Sequence, residues 1–257
     1  MILECIPDYQ NIEEWAALAE EFGMNFEYNE FFRPAILSDP KKIEEIIDLY
    51  RGLGRDTSDD TLHGAFYDIN ISSYDPLIRD ASDYRVKQSI DIAEQLGVRG
   101  VVFHTNYLSD FKSEAYRSSW VESNILYWTD LCKKHPGVEV YLENMFDESP
   151  ELLSKVANEM RYVRNFGVCL DLAHAFLSAV PVYDWITALS REVRHIHIND
   201  NDGLQDLHLP VGSGAMDWSV LSDSNLLRND PSVLIEVSGI DRLKDSVNYL
   251  KTIGFIA

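Results

Sequence analysis

Residues 83–107, "DYRVKQSIDIAEQLGVRGVVFHTNY", carry apolar residues at helical spacing, then a glycine, then a β-branched run that reaches His104. Helix, glycine, strand is the grammar of a parallel sheet, because two strands running the same way need a crossover between them. The alternation continues outward on both sides. Upstream lie the strand candidates "ILECI" from Ile2, "NFEYNEFF" from Asn25 and "TLHGAFYDI" from Thr61, separated by amphipathic "NIEEWAALAEEFG" and "PKKIEEIIDLYRGLG". Downstream lie "VEVYLENMF" from Val138, "GVCLDLAHAF" from Gly167, "VRHIHIND" from Val193 and "VLIEVSG" from Val233. With "GVVFHTNY" from Gly100 this makes about eight strands, the number that closes a (β/α)8 TIM barrel. A doubly wound sheet shares the grammar, but no G-x-G-x-x-G follows the first strand. The expectation is one barrel domain over residues 1–257, with its second strand near Phe26–Phe31 and its eighth near Val233–Val237. The terminal helix "DRLKDSVNYLKTIG" should turn Leu243, Val247 and Leu250 inward.

The 257 residues are 46% apolar and 25% charged, an ordinary globular composition. Lys and Arg number 22 against 43 Asp and Glu, a formal charge of −21. That balance disfavours nucleic acid bound along the surface, which needs clustered cations, but not an anionic ligand held by metal ions. Cys5, Cys132 and Cys169 are odd in number and form no C-x-x-C pair, which excludes a disulfide framework; Cys5 and Cys169 read as small core residues. The N-terminus lacks a basic signal region, and no apolar run approaches the ~18 residues of a membrane span. A cytoplasmic protein without membrane contact is the expectation, and a homo-oligomer is left open.

In a (β/α) barrel the reactive groups sit where strands run into their following loops. Those positions hold His63, His104, Glu143, Asp171, His197 and Glu236, one for each strand from the third to the eighth. His174 follows Asp171 by three, and Asp206 and His208 follow His197 in the next loop. Five of the seven histidines belong to this set. Imidazole and carboxylate without thiolate suit Zn²⁺, Mn²⁺, Fe²⁺, Co²⁺ or Mg²⁺, and a ring of carboxylates without a cation would repel itself. His195, two residues before His197, shares its strand face one layer deeper and reads as a supporting or packing residue. His135, in "KKHPG" after a helix, reads as a solvated terminal residue.

The segments "LHGAFYDIN", "VVFHTNY", "YLENMF", "VCLDLAHAF", "HIHINDNDGLQDLHLPVGSG" and "LIEVSG" resemble the xylose isomerase-like TIM barrel superfamily, which holds sugar-phosphate isomerases and epimerases and endonuclease IV. The resemblance runs over about two-thirds of the chain, from the third strand onward. In the isomerase and epimerase branch it implies one metal held by Glu143, Asp171, His197 and Glu236, with His174 contacting substrate. In endonuclease IV it implies the same four, His63 and His104 at a further metal, and His174, Asp206 and His208 at another. All nine positions match, so one to three divalent ions (Zn, Mn, Co or Mg) are implied. Gly203 stands near where ketose epimerases place an arginine.

Three functions follow from these residues. In an isomerase or epimerase, Glu143 and Glu236 would act as base and acid on the carbon beside a sugar carbonyl, passing through an enediolate. Phe66, Tyr67, Tyr107 and Phe146 would wall that pocket. Arg33, Arg79 or Lys112 would anchor a terminal phosphate of a sugar phosphate. In an endonuclease IV-like phosphodiesterase, Glu143 would bridge two ions and a hydroxide would attack phosphorus. The third is a metal-binding barrel without turnover. Charge favours a small sugar or sugar phosphate, with nucleic acid disfavoured.

Overall fold

In the computed structural model, which describes residues 1–256, eight parallel strands close into a barrel in chain order. They are β1 (Leu3–Cys5), β2 (Asn25–Tyr28), β3 (Thr61–His63), β4 (Gly100–His104), β5 (Glu139–Glu143), β6 (Phe166–Asp171), β7 (Val193–Ile198) and β8 (Ser232–Ile235). β8 returns to β1 through Leu3↔Val233, Glu4↔Leu234 and Cys5↔Ile235. The helices between them are α1 (Ile12–Phe22), α2 (Pro34–Leu37), α3 (Pro40–Gly52), α4 (Pro76–Leu96), α5 (Glu114–Lys134), α6 (Glu151–Met160), α7 (Leu172–Leu177), α8 (Val182–Leu189) and α9 (Ile240–Thr252). Local chemistry sets their ends. Asp75 caps the first turn of α4 by accepting from the Leu77 N–H, and Pro76 follows at a position where no N–H is needed. Gly97 then closes α4 at φ +73°, a left-handed conformation glycine enters without penalty.

The apolar core lies outside the strands. Leu62, Val101, Phe103, Leu142, Leu170 and Ile196 pack there with Ile90, Trp128, Val156, Leu243 and Val247 of the helices. Facing the barrel axis, Val102, Tyr141 and Cys169 form a small cluster of their own. Around it Glu4, Glu27, Thr61, His195 and Ser232 are all buried. Strand alternation then places His104 above Val102, Glu143 above Tyr141, Asp171 above Cys169 and His197 above His195. The axis is therefore filled in part by polar side chains, where branched aliphatic residues are usual.

Several strand candidates shorten. β2 stops at Tyr28 and does not reach Phe31. Its pairing with β3 ends at Tyr28↔Leu62, and Glu30–Phe32 form a 3₁₀ turn. Glu30 bends the chain there, accepting from the Tyr50 hydroxyl at 2.5 Å and the Tyr9 N–H at 3.3 Å. β8 ends at Ile235, short of Val237, because the Val237 N–H turns back onto the Ile235 carbonyl. "TLHGAFYDI" contracts to Thr61–His63, and "GVCLDLAHAF" divides into β6 and α7 because Asp171 caps the His174 N–H at 2.6 Å. Leu243, Val247 and Leu250 of α9 are buried as their spacing requires. Among the described residues no helix is long and apolar enough to cross a membrane.

Candidate metal centre

Neighbouring parallel strands are in register where their reactive residues end. His104 pairs with Glu143 and Asp171 with His197 in the Cα register, while the Glu236 N–H bonds the Ile198 carbonyl at 2.9 Å. His63, His104, Glu143, Asp171, His174, His197 and Glu236 are all buried. Glu143, Asp171, His197 and Glu236 offer ligand atoms within 4.8 Å of one another, and so do His63, His104 and Glu143. Glu143 belongs to both groups. Its Oε1 lies 3.2 Å from His197 Nδ1, and its Oε2 lies 3.2 Å from His104 Nε2 and 3.6 Å from His63 Nε2. Asp206 Oδ2 stands 3.3 Å from His174 Nε2 and 3.2 Å from His208 Nε2.

The backbone decides which ring nitrogen faces inward. The Nδ1 atoms of His63, His174 and His208 lie 3.1, 2.9 and 3.1 Å from the carbonyls of Gly64, Asn144 and Glu236. A carbonyl only accepts, so each Nδ1 carries a proton, and in the neutral ring Nε2 presents a lone pair. For His63 that lone pair meets His104 Nε2 at 3.1 Å, and for His174 and His208 it meets a carboxylate oxygen. Both Glu143 oxygens, His197 Nδ1 and Asp206 Oδ1 are buried without a hydrogen-bond partner. Acceptors that converge on one another in a buried place need a cation between them, a proton or a metal ion. Imidazole and carboxylate at this spacing fit a divalent metal.

Electrostatics split the carboxyl groups. Burial works to raise Glu143, but the imidazoles of His197 and His104 outweigh it and hold the carboxylate well below its ordinary range. Burial pushes Asp171 upward, with the charges of Glu236 and Glu143 adding to it. The Glu236 charge, chiefly, pushes His208 up to about 10. Unlike environments around adjacent acids are the pattern that divides acid from base roles.

Three supporting residues escaped the sequence reading. Asn144 and Asp171 exchange hydrogen bonds, each 2.9 Å, tying the ends of β5 and β6 together. Asn199 Nδ2 donates to Glu236 Oε2 at 3.2 Å. Asp200 accepts from the N–H groups of Gly212 and Met216 and from Trp218 Nε1 at 3.0, 3.2 and 2.9 Å, so one buried carboxylate pins the loop carrying Asp206 and His208. A Cβ at Gly214 would collide with Asp200 and the Asn201 carbonyl, which explains the small residue there. His208 itself sits at φ +45°, uncommon for a residue with a side chain and consistent with a position held by its surroundings. The signal that could have found Asp200 was its position beside the H-x-N segment in a loop rich in glycine.

The substrate candidates do not all share one place. Phe66 stacks on His104 with centroids 4.5 Å apart, and Phe146 meets His174 edge-on at 5.8 Å. Tyr107 lines the same groove as Phe66, Tyr67 and Phe146, but its ring also packs on Tyr116 and Trp120 of α5. Arg33 lies apart from them, in a cavity of about 670 Å³ formed by the loops after β1, β2 and β8. Arg79 and Lys112 are not free anchors: Arg79 donates to the Ser73 and Tyr74 carbonyls, and Lys112 pairs with Glu148 at 2.8 Å. His195 is buried in the layer below His197, and His135 pairs with Glu94 at 2.8 Å at the end of α5.

Known proteins share this architecture. A probable endonuclease 4 of Mycobacterium leprae is 27% identical over 203 residues, 72% of this chain and 75% of its own. Among solved structures, a protein of Thermus thermophilus soaked with zinc chloride superposes with a TM-score of 0.76 at 22% identity, over 99% of this chain and 98% of its own. A D-tagatose 3-epimerase-like protein reaches the same TM-score at 22% identity, over 98% of this chain and 96% of its own. At that identity the two structures establish the fold alone. A family model matches residues 12–253, and the chain belongs to the xylose isomerase-like TIM barrel family.

Proposed function

We propose that this barrel is a metal-dependent isomerase or epimerase of a small polyhydroxylated carbonyl compound, a sugar or sugar phosphate. The observation that carries this reading is the convergence of two glutamates on one imidazole: Glu143 Oε1 and Glu236 Oε2 stand 3.2 and 3.5 Å from His197 Nδ1. Glu143, Asp171, His197 and Glu236 would hold the ion, which when bound withdraws charge from adjacent carbonyl and hydroxyl oxygens and acidifies the neighbouring carbon. One glutamate then removes the proton from that carbon and the other returns one, the substrate passing through an enediolate. Arriving from β5 and the end of β8, the two carboxylates would address different faces of the carbon, as inversion requires. Phe66 and Phe146, which pack on His104 and His174, would wall the pocket, and His174 would contact a substrate oxygen. Similarity to epimerase-like structures supports this reading.

A second reading has its own observation. His63, His104 and Glu143 form a further ligand group that shares Glu143, and His174, Asp206 and His208 gather beside it. Two ions bridged by a carboxylate suit phosphoester hydrolysis of the endonuclease IV kind, and relatives named probable endonuclease 4 support it. The charge of −21 and the engagement of Arg79 and Lys112 weigh against a long polyanion.

Incubation in D₂O with ketoses, aldoses and their phosphates, beside abasic-site DNA, each with Mn²⁺, Co²⁺ or Zn²⁺, separates the two. Deuterium at the carbon next to a sugar carbonyl, lost in Glu236→Gln, is the expected result. Abasic-strand cleavage lost in Glu143→Gln, with no deuterium in any sugar, would reverse the order.

A further inference from the structure

Beneath the four-ligand group the barrel axis holds a closed ring of hydrogen bonds. Glu27 of β2 places Oε2 3.0 Å from His195 Nε2, 3.0 Å from Thr61 Oγ1 and 3.3 Å from His197 Nε2. Thr61 Oγ1 also bonds Glu4, whose other oxygen lies 3.0 Å from Arg99 Nη2. Arg99 Nη2 in turn lies 2.7 Å from Ser232 Oγ, and Ser232 Oγ bonds His195 Nδ1. Glu4, Glu27, Thr61 and His195 are each 0% exposed, so the ring is shut off from bulk solvent.

Counting protons around the ring gives it a direction. Arg99 only donates, so Ser232 accepts from it. The Glu27 carboxylate oxygen only accepts, so His195 donates to it through Nε2, and in the neutral ring Nδ1 then takes the Ser232 proton. Thr61 has one proton and touches two carboxyl groups, so one of the two carries a proton of its own. Burial pushes Glu4 up to about 8, which makes Glu4 the donor to Thr61 and leaves the Thr61 proton for Glu27. Both arms of the ring therefore end as donors on Glu27 Oε2. That carboxylate oxygen has no proton to give, so His197 Nε2, 3.3 Å away, meets it only as a donor.

We propose that Glu27 is a positioning residue that fixes His197 as its Nε2–H tautomer and so commits Nδ1 to the metal. This is the reverse of His63, His174 and His208, whose Nδ1 protons rest on backbone carbonyls and whose Nε2 atoms face inward. The backbone fixes Nδ1 of those three rings, whereas the nitrogen of His197 that turns down the barrel meets Glu27 of β2 at 3.3 Å. The inference rests on metal binding at Glu143, Asp171, His197 and Glu236, and outer partners of this kind typically change metal affinity by about 10- to 100-fold.

The test uses the full chain and its Glu27→Gln variant, with two readouts. Long-range ¹H–¹⁵N correlation of the metal-free protein, at a pH high enough for the ring to be neutral, reports the His197 tautomer, assigned by its loss in His197→Asn. Competition with a chelating dye reports Co²⁺ affinity. Wild type should show Nε2–H at His197. Glu27→Gln should mix the tautomers and weaken Co²⁺ by about 10- to 100-fold, with partial recovery in Glu27→Asp, which also carries the test if the glutamine variant fails to fold. Ser232→Ala opens the same ring without touching the Glu27–His197 contact and should leave both readouts near wild type. An Nδ1–H tautomer in wild type, an unchanged Glu27→Gln, or an equal loss in Ser232→Ala would overturn the proposal. Wild type that takes up no Co²⁺ would defeat the metal reading, while the tautomer would still decide for or against Glu27.

Discussion

His63 Nε2 stands 3.1 Å from His104 Nε2, the two rings crossing at 84°. The Gly64 carbonyl takes the Nδ1 proton of His63, so its other nitrogen is a lone pair unless the ring is charged. Burial opposes a charge on His104, and a neutral His104 that donates through Nε2 leaves its Nδ1 buried without a partner. Glu143 Oε2 completes the triangle at 3.2 and 3.6 Å. A divalent ion resolves these contacts without asking either buried ring to carry a charge.

Metal removal should therefore destabilise the fold. A ligand bound only to the native state adds about 2.7 kcal/mol when present at 100 times its dissociation constant. Chelator-treated protein should melt at lower temperature and regain its stability with Zn²⁺ or Co²⁺. In His104→Asn, metal analysis should show one ion fewer per chain, the ion at Glu143, Asp171, His197 and Glu236 remaining. Unchanged metal content in that variant would remove His63 and His104 from the ligand set.

Asp200 should matter to the site without touching it. Its carboxylate accepts from Gly212, Met216 and Trp218 while its backbone exchanges hydrogen bonds of 2.9 and 2.8 Å with Leu209, next to His208. Asp200→Ala strands at least three donors, each costing about 1–3 kcal/mol when buried and unpaired. Urea unfolding should show a loss of a few kcal/mol. Asp200→Asn, which keeps one acceptor oxygen, should lose less. In both, binding through Asp206 and His208 should weaken more than binding at Glu143 and His197, read by titrating Zn²⁺ into the protein. Equal weakening at the two places would mean that Asp200 acts on the whole barrel.

The barrel was legible because helical patterns alternate with strands, and β3 to β6 end at His63, His104, Glu143 and Asp171, where that alternation puts them. Strand lengths were harder to see. Asn29–Phe32 has the composition of a strand, yet the buried Glu30 side chain and its Tyr50 and Tyr9 partners bend it into a turn. Glu4 and Glu27 were hidden for a different reason. Each sits in a short strand whose alternation could as well have turned it to solvent, and only barrel closure shows that the inward face of β1 and β2 meets His195 and Arg99. Likewise nothing in the spacing of Arg79 and Lys112 foretold that Ser73, Tyr74 and Glu148 would engage them.

Glu30 gives the fold a pH dependence that can be isolated from the metal centre. Its Oε1 is bonded to Tyr50 and Tyr9, but Oε2 is buried without a partner, and burial pushes the carboxyl up to about 7 from an ordinary 4.5. Between those two values the folded chain holds a proton that the unfolded chain has released, so stability falls as pH rises. The contribution is complete below about 4.5 and is gone once pH passes about 7. One pKa unit corresponds to ~1.4 kcal/mol, which sets a ceiling on the order of 3 kcal/mol. Glu30→Gln keeps an oxygen for Tyr50 and Tyr9 and removes the charge. The variant should match wild type at pH 5 and exceed it at pH 8, by an amount that grows between the two. Urea unfolding of both proteins at pH 5, 6, 7 and 8, with saturating metal, gives the difference directly and cancels the other titrating groups. A difference that stays flat with pH, or a Glu30→Gln protein weaker than wild type at pH 8, would show that Glu30 remains charged and satisfied in the fold.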